Sequence, residues 1–234
     1  MKTIISYATG LIIALMLAGV PVDAASNSDD LEKGLQLMRE EEKLAHDVYI
    51  ALYEKWQIPV FNNIASAESR HFDAVGYLLE TKGLDDPVFA KEGKFSNREL
   101  AKLYEELVEK GSISITTALE VGAYVEELDI QDLQEQLAAG HDDLTNRVLG
   151  NLERASEVHL RAFTKQLAFR GAEYSPQVLD EATFLSLTDS APQRAGRGQC
   201  IYLSNNNTKR PVMGRQNMRM RGRGQGMRGN CIYN

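Results

Sequence analysis

The chain has 234 residues, of which 43% are hydrophobic and 25% are charged, as in an ordinary soluble globular protein. This composition excludes a disordered acidic tail and a polytopic membrane protein. The net charge of −7 combines two unlike parts. Residues 25–190 carry 32 acidic and 16 basic side chains, whereas residues 191–234 carry nine basic side chains and no acidic one. The sequence therefore predicts an acidic body followed by a basic tail.

The first 24 residues have the composition of a signal peptide. Lys2 precedes an apolar run from Leu11 to Val20, and small residues follow around Asp23, just before Ala25. We therefore expect cleavage near Ala25 and export to the periplasm, the cell surface or the medium, with no membrane span in the mature chain. An uncleaved membrane anchor is the alternative, but the apolar run is shorter than the roughly 20 residues that a spanning helix needs.

Four long segments of the body have apolar side chains every three or four residues, the pattern of helices packed in a bundle. These segments are residues 29–56, 59–82, 113–139 and 142–170. The long connection before the third segment contains a short helix, which begins with a capping box at Ser96 and Glu99 and ends at Gly111. A last short helix is predicted from Ser175 to Leu187, and no useful length alternates with a period of two. We therefore predict an all-α four-helix bundle with a long crossover and essentially no sheet, over residues 25–188.

Each long helix carries polar residues in its apolar stripe, close to the midpoint of the segment. They are Glu42 on the first helix, Glu68 and His71 on the second, Glu126 on the third, and Ser156 and His159 on the fourth. Because the midpoints of antiparallel helices share one level, we expect these side chains to converge in the core. Three carboxylates buried together without a cation repel one another and lose their hydration. A pair of divalent cations removes this conflict, so the pattern predicts a dimetal site.

These residues resemble the ferritin-like di-iron carboxylate proteins, in which two helices each supply one Glu and the other two each supply Glu-x-x-His. The local sequences that carry the resemblance are Arg39–Tyr49, Ala65–His71, Val125–Ile130 and His159–Phe163. They are also similar to an uncharacterised ferritin-like family known as a domain of unknown function. The resemblance covers roughly residues 29–188 and implies a ferritin-like bundle with two iron ions per chain, or manganese in their place.

The resemblance also implies an activity. Ferritin-like proteins oxidise Fe(II) or reduce dioxygen or peroxide at the open positions of the metal pair, with no catalytic residue beyond the metal ligands. His71 and His159 would be terminal ligands on opposite metals, and the three Glu residues would bridge and neutralise the metals. The expected partners are therefore metal ions and dioxygen or peroxide, and a homodimer is one expected assembly.

The fourth helix departs from the family pattern, because Ser156 stands where the Glu of Glu-x-x-His159 is expected. Asp129 lies one turn after Glu126 on the same face and could supply the missing carboxylate oxygen. Ser156 would then support the site rather than bind metal. An open or water-filled corner and a site for a single metal are the alternatives.

Several further residues lie close to the expected ligands. His46 follows Glu42 by one helical turn and is a candidate to support the site, with a place on the solvated acidic face as the alternative. Tyr49 follows by two turns, where it serves either as a redox tyrosine or in core packing. Glu41 and Glu127 are interpreted as part of a solvated acidic face, with a ligand role after a one-residue shift in register as the alternative.

The tail, residues 189–234, is rich in Gly, Arg, Asn and Gln and is predicted to be largely disordered. It repeats the pattern Gly-x-Cys-Ile-Tyr, at Cys200 and again at Cys231. In an oxidising compartment these two cysteines are candidates for a disulfide, with an intermolecular bridge as the alternative. Its Met and Cys residues could instead bind Cu(I). Its basic residues fit an anionic surface or the acidic body of the chain itself, whereas export argues against nucleic acid.

A second class of function fits the same residues. The polar layer could be a structural hydrogen-bonded network in a non-enzymatic helical module, with the tail attaching it to a surface or partner. Metal content separates the two hypotheses.

Overall fold

The computed structural model describes residues 24–189 and two short segments, 201–202 and 231–232. All but the last residue of the predicted signal peptide, nearly all of the tail and the candidate disulfide of Cys200 lie outside the described residues. Within the described part of the chain, no helix is both long enough and apolar enough to cross a membrane.

Six helices form the body of the protein. Their bounds are Ala24–Trp56 (α1), Pro59–Lys82 (α2), Arg98–Gly111 (α3), Ile115–Ala139 (α4), Asp143–Phe169 (α5) and Glu181–Thr188 (α6). The all-α prediction is thereby confirmed. The four long helices match the four apolar stripes of the sequence, and Gly83, in the left-handed conformation, ends α2 as a C-cap.

Three predicted helix starts are wrong, the first being that of α1, which begins at Ala24 rather than at residue 29. The N-cap of α3 is Asn97 rather than Ser96, and its side chain accepts hydrogen bonds from the backbone N–H groups of Glu99 and Leu100. The last helix begins at Glu181 after the N-cap Asp180, not at Ser175. Residues 177–179 form a bend before it, and their three N–H groups donate to the carboxylate of Glu127 on α4.

The tail contains the one departure from the prediction of essentially no sheet in the described residues. Ile201–Tyr202 (β1) and Cys231–Ile232 (β2) form an antiparallel pair, with Ile201 opposite Ile232. These are the two copies of the repeated Cys-Ile-Tyr pattern, whose β-branched and aromatic residues favour strands. Two-residue strands do not change the all-helical class of the body.

The long helices pack as two pairs. Helix α1 packs along α2, and α4 packs along α5. Each pair is joined by only two or three residues, so its helices run antiparallel. The two pairs contact each other less extensively, and α3 lies across α1 and α4. The crossover through α3 therefore covers the seam between the pairs.

The core consists of two apolar clusters at opposite ends of the bundle. Cluster A includes Tyr49, Leu52, Phe61, Ile64, Leu119, Ala123, Leu160 and Phe163. Cluster B includes Leu35, Met38, Leu78, Leu79, Leu133, Leu149 and Leu152. Along α1, α2 and α5 the chain passes from one cluster to the other at the polar positions of the stripe, and along α4 it does so between Ile130 and Leu133, one turn after Glu126. A buried polar layer therefore separates the two clusters.

Candidate metal centre

Five predicted ligand residues meet in the polar layer between the apolar clusters. Glu42 comes from α1, Glu68 and His71 from α2, Glu126 from α4 and His159 from α5. They form two groups of potential metal ligands, Glu42 with Glu68 and His71, and Glu68 with Glu126 and His159. Within each group the ligand atoms lie within 4.8 Å of one another. The three carboxylates are each only 1% exposed, so the groups are shielded from bulk water.

Glu68 is shared by the two groups and gives one oxygen to each. Its Oε2 lies 2.7 Å from Nδ1 of His71, and its Oε1 lies 2.7 Å from Nδ1 of His159. Each histidine also has an outer carboxylate at 3.4 Å, Glu42 for His71 and Glu126 for His159. The two imidazole rings stack with their centroids 5.6 Å apart. The layer therefore contains two groups of ligand candidates with similar histidine–carboxylate distances, and they share the carboxylate of Glu68.

The polar atoms of this layer lack the hydrogen bonds that a structural network would have. Both carboxylate oxygens of Glu42, both of Glu68, and Nδ1 of His71 and of His159 make no hydrogen bond with any described residue. The imidazole nitrogens lie 2.7–3.4 Å from carboxylate oxygens as ion-pair contacts, and no backbone or hydroxyl donor reaches the oxygens of Glu42 and Glu68. Buried polar groups in native proteins are nearly always paired, and each unpaired one costs about 1–3 kcal/mol. Carboxylate oxygens and imidazole nitrogens that lie within 4.8 Å of one another in such a buried layer suit a cation.

Burial and neighbouring charges shift the pKa values of the carboxyl and imidazole groups of this layer in opposite directions. Burial raises the pKa of Glu42 to about 7, although the neighbouring His71 partly opposes this. Burial also acts to raise the pKa of Glu68, but the charges of His159 and His71 outweigh it and hold that pKa well below its usual range. Burial disfavours charge on His159, yet the carboxylates of Glu68 and Glu126 raise its pKa to about 9. In the metal-free protein, protons therefore provide part of the positive charge that this layer requires.

Tyr49 holds the outer carboxylate of the second group. Its ring is fully buried in cluster A, and its hydroxyl donates to Oε1 of Glu126 over 2.6 Å. The same hydroxyl lies 3.3 Å from the carbonyl of Gly122. A side chain at Gly122 would collide with the ring of Phe163, so this glycine allows α4 and α5 to approach closely beside the site.

Ser156 and Asp129 form a pair at the edge of the layer. Ser156 is fully buried, and its hydroxyl donates to Oδ2 of Asp129. Burial, followed by the charges of Glu42, Glu126 and Glu68, raises the pKa of Asp129 well above its usual range. Asp129 is not a member of either ligand group. The position that lacks a carboxylate on α5 is thus occupied by a hydroxyl that orients a carboxylate of α4.

His46 lies away from the two ligand groups. Its side chain is 34% exposed, and its Nδ1 lies 3.0 Å from Oδ1 of Asp47. Asp47 in turn forms an ion pair with Lys43 and accepts a hydrogen bond from the backbone N–H of Gly93 over 2.9 Å. This cluster attaches the crossover segment to α1.

Sequence reasoning missed two other buried carboxylates. Glu40 accepts hydrogen bonds from the backbone N–H groups of Ser96 and Asn97. Glu127 is 0% exposed, so its assignment to a solvated face is wrong. Its Oε2 accepts hydrogen bonds from three consecutive backbone N–H groups, of residues 177–179. Buried N–H groups of loops need hydrogen-bond acceptors, and this need is the only sequence signal for such roles. It does not identify the residue that accepts.

Comparison with known proteins identifies the family. Residues 32–191 match the model of a family described as an uncharacterised protein domain (DUF2202). The chain belongs to this family. It is 43% identical over 168 residues to the uncharacterised protein MJ0754 of Methanocaldococcus jannaschii, a match that covers 71% of this chain and 91% of the relative. A crystal structure of hypothetical protein MJ0754 from Methanococcus jannaschii DSM 2661 aligns with a TM-score of 0.69 and 40% identity. That alignment covers 76% of this chain and 100% of the other. The DUF2202 match spans all five ligand candidates.

Proposed function

We propose that this DUF2202 protein is a ferritin-like dimetal protein that binds two Fe(II) ions and uses them in ferrous oxidation or in the reduction of dioxygen or peroxide. The observation that carries the proposal is the bridging position of Glu68, one oxygen of which faces each histidine at 2.7 Å without a hydrogen bond. Three carboxylates and two imidazoles are a donor set that suits iron, and manganese would suit it as well.

The chain's own residues would do four things at such a site. Glu68 would bridge the two metals. Glu42 with His71 would complete one half-site, and Glu126 with His159 the other. A bound ferrous pair supplies two electrons to dioxygen or peroxide. The surrounding apolar clusters would exclude bulk water, and the hydroxyl of Tyr49 would hold a proton next to Glu126.

Asp129 is the further carboxylate that the proposal includes near the metals. Its hydrogen bond from Ser156 fixes one oxygen and leaves the other free to turn toward the layer. An Asp in this position compensates for the Glu that α5 lacks. The proposed site therefore keeps four carboxylates, but takes two of them from α4.

A structural polar layer explains these residues less well. Such a layer would be expected to satisfy its own hydrogen bonds. Four orphaned carboxylate oxygens and two orphaned imidazole nitrogens weigh against it. Export is also part of the proposal, since an acidic body outside the cytoplasm would attract cations. A mature N-terminus near Ala25, determined by sequencing the processed protein, would be the result expected for export.

Iron content and reactivity test the proposal together. The protein is loaded anaerobically with Fe(II), desalted, and analysed for iron, and its oxidation by dioxygen or by hydrogen peroxide is then followed by absorbance. We expect about two iron ions per chain and faster oxidation than for free Fe(II). The control variant is Glu80→Gln, because Glu80 is exposed on the same helix as Glu68. Its iron content should equal that of the parent protein. A folded parent protein without bound iron would contradict the proposal.

A further inference from the structure

A partly open groove lies between α1, α3 and α4, in the seam between the two helix pairs. It has a volume of about 110 Å³. Six of its nine lining residues are Leu, Ala or Val, and the other three are Glu41, Asp129 and Asp132. All three carboxyl residues are partly exposed, so solvent and solutes can reach them. We call this feature the acidic groove.

The carboxyl groups of the acidic groove have no basic partner. Glu41 and Asp132 are hydrogen-bonded to each other, and Asp129 accepts a hydrogen bond from Ser156. Among residues 24–189, no ion pair joins any of the three to a basic side chain. Burial raises the pKa of Asp132 to about 6, and the charge of Glu135 acts in the same direction. The groove therefore holds carboxyl groups that the described residues do not compensate.

Basic residues close to the groove in the chain are paired elsewhere. Lys43 of α1 forms its ion pair with Asp47, and Lys102 of α3 lies 3.4 Å from Glu106 on the exposed side of that helix. The other cavity of note in the described residues, of about 210 Å³, is lined by both members of the Lys43–Asp47 pair. Its charges are balanced by its own residues, whereas those of the acidic groove are not.

The lining of the acidic groove suits an arginine side chain. The walls formed by Leu44, Leu100 and Leu103 can pack against the methylene stem of such a residue. The neighbouring carboxyl groups of Glu41 and Asp132 can accept hydrogen bonds from one planar guanidinium group. A small inorganic cation would use the carboxyl groups alone and gain nothing from the apolar walls.

The tail of the same chain contains side chains of this kind. It carries nine basic residues and no acidic one, and three of the nine lie in the five-residue segment Arg219–Arg223. This segment begins about 30 residues after Asp189, and a flexible chain of that length spans roughly 30 Å on average. The longest helix of the body, α1, measures about 50 Å. The segment is thus long-tethered enough to reach the groove, and the tether gives it a high effective concentration there.

We propose that the tail segment Arg219–Arg223 docks in the acidic groove of its own chain, where Glu41 and Asp132 bind one of its guanidinium groups. The acidic body, rather than an external anionic surface, is then the partner of this part of the tail. The inference goes beyond the proposed function and does not depend on iron, because none of the five ligand candidates lines the groove.

Limited digestion with trypsin tests the docking on the full-length, metal-free protein. Mass spectrometry follows the rate of cleavage within Arg219–Arg223 relative to that after Arg197, which lies outside the segment. Docking should lower this relative rate by about tenfold, because proteolysis follows the undocked fraction. The reference for the undocked segment is the same digestion in 1 M NaCl, where charges are screened beyond about 3 Å.

Two charge-matched variants separate the groove from the acidic body as a whole. Glu41→Gln/Asp132→Asn removes two carboxylates of the groove, and the relative rate should rise to the high-salt value. Glu105→Gln/Glu109→Gln removes two exposed carboxylates of α3, and the relative rate should stay at the parent value. If the groove variant does not fold, as judged by circular dichroism, Asp132→Asn alone replaces it.

Three results would overturn the inference. The first is a parent protein whose segment is cut equally fast at low and high salt. The second is protection that survives in the groove variant, or that is lost equally in Glu105→Gln/Glu109→Gln, since the segment would then bind elsewhere on the body. The third is protection that increases with protein concentration, because the groove would then hold the segment of a second copy. A folded parent without bound iron would contradict the proposed function and leave the digestion result unaffected.

Discussion

Helix α1 carries two kinds of buried carboxylate within two turns, and they differ in their partners. Glu40 accepts two backbone hydrogen bonds from the residues that precede α3, and Asp47 accepts hydrogen bonds from Lys43 and Gly93. Glu42 lies between them in the chain, is equally buried, and accepts no hydrogen bond from a described residue. We call Glu40 and Asp47, together with the Lys43 that pairs with Asp47, the crossover anchor.

The pKa values of the two regions differ accordingly. Burial acts to raise the pKa of Asp47, but hydrogen bonds from His46, Lys43 and Gly93 outweigh burial and lower it. Burial raises the pKa of Glu42 to about 7, and the attraction of His71 does not cancel it. The fold can therefore stabilise a buried negative charge with its own groups, and does so in the crossover anchor. Under the proposed function, an added cation would supply the rest of that stabilisation in the polar layer.

The largest effect is expected at the residue that the two half-sites share. Glu68→Gln removes the bridging charge from both, so metal content should fall from about two ions per chain to none. Titration with Co(II), followed by its visible absorption, measures this without oxidation. The exposed Glu80→Gln is the control. Full metal content in folded Glu68→Gln would remove the distinction between the polar layer and the crossover anchor.

Replacing a carboxylate with an uncharged amide should change the free energy of unfolding in opposite directions in the crossover anchor and in the polar layer. Asp47→Asn breaks a buried ion pair, so the free energy of unfolding should fall by about 3 kcal/mol. Glu42→Gln removes an uncompensated charge, so the metal-free protein at pH 8 should gain about 1–3 kcal/mol. Urea unfolding with a chelator present measures both.

Metal binding provides the matching readout. Asp47→Asn should retain both metal ions, whereas Glu42→Gln should lose at least one. If Glu42→Gln is as destabilising as Asp47→Asn, the carboxylate of Glu42 is structural, and the comparison fails.

The pH dependence of stability follows from the raised pKa values. A group whose pKa is higher in the folded state stabilises the protein below its unfolded pKa and loses this contribution as the pH rises through its folded pKa. For Glu42 this window runs from about 4.5 to about 7, and for His159 from 6.5 to about 9. The metal-free protein should therefore become less stable from about pH 5 to pH 9. Since metal binding requires the deprotonated ligands, the increase in Tm caused by metal should grow over the same range.

Thermal unfolding with and without Mn(II), which is not readily oxidised in air near neutral pH, measures this dependence. Glu42→Gln should reduce it between pH 5 and pH 7 in particular. A metal-induced increase in Tm that does not vary with pH would show that the metal displaces no protons from the layer.

The smallest effect is expected at Ser156. Ser156→Ala removes the hydrogen bond that orients Asp129, and loss of such supporting contacts weakens metal affinity by about 10-fold to 100-fold. We expect the lower end of this range, with two metal ions still bound at saturation. Thr164→Ala removes another hydroxyl of α5, one that bonds only to its own helix, and should not change the affinity.

The sequence predicts the polar layer because its residues interrupt apolar stripes at the midpoints of four helices. That pattern depends only on helical periodicity and antiparallel packing, and it places Glu42, Glu68, Glu126 and both histidines in one layer. The pattern carries no information about residues beside the stripe. His46 and Glu127 lie one or a few positions away from ligand candidates, and their directions depend on long-range contacts with the crossover and with residues 177–179.

Anomalous X-ray diffraction from crystals loaded anaerobically with Fe(II) tests the central claim most directly. We predict two iron peaks about 3.5–4 Å apart, a spacing typical of two-metal sites. One should lie at bonding distance from Nδ1 of His71 and the other from Nδ1 of His159, with Glu68 between them. Well-ordered crystals with no iron peak in the polar layer would contradict the account.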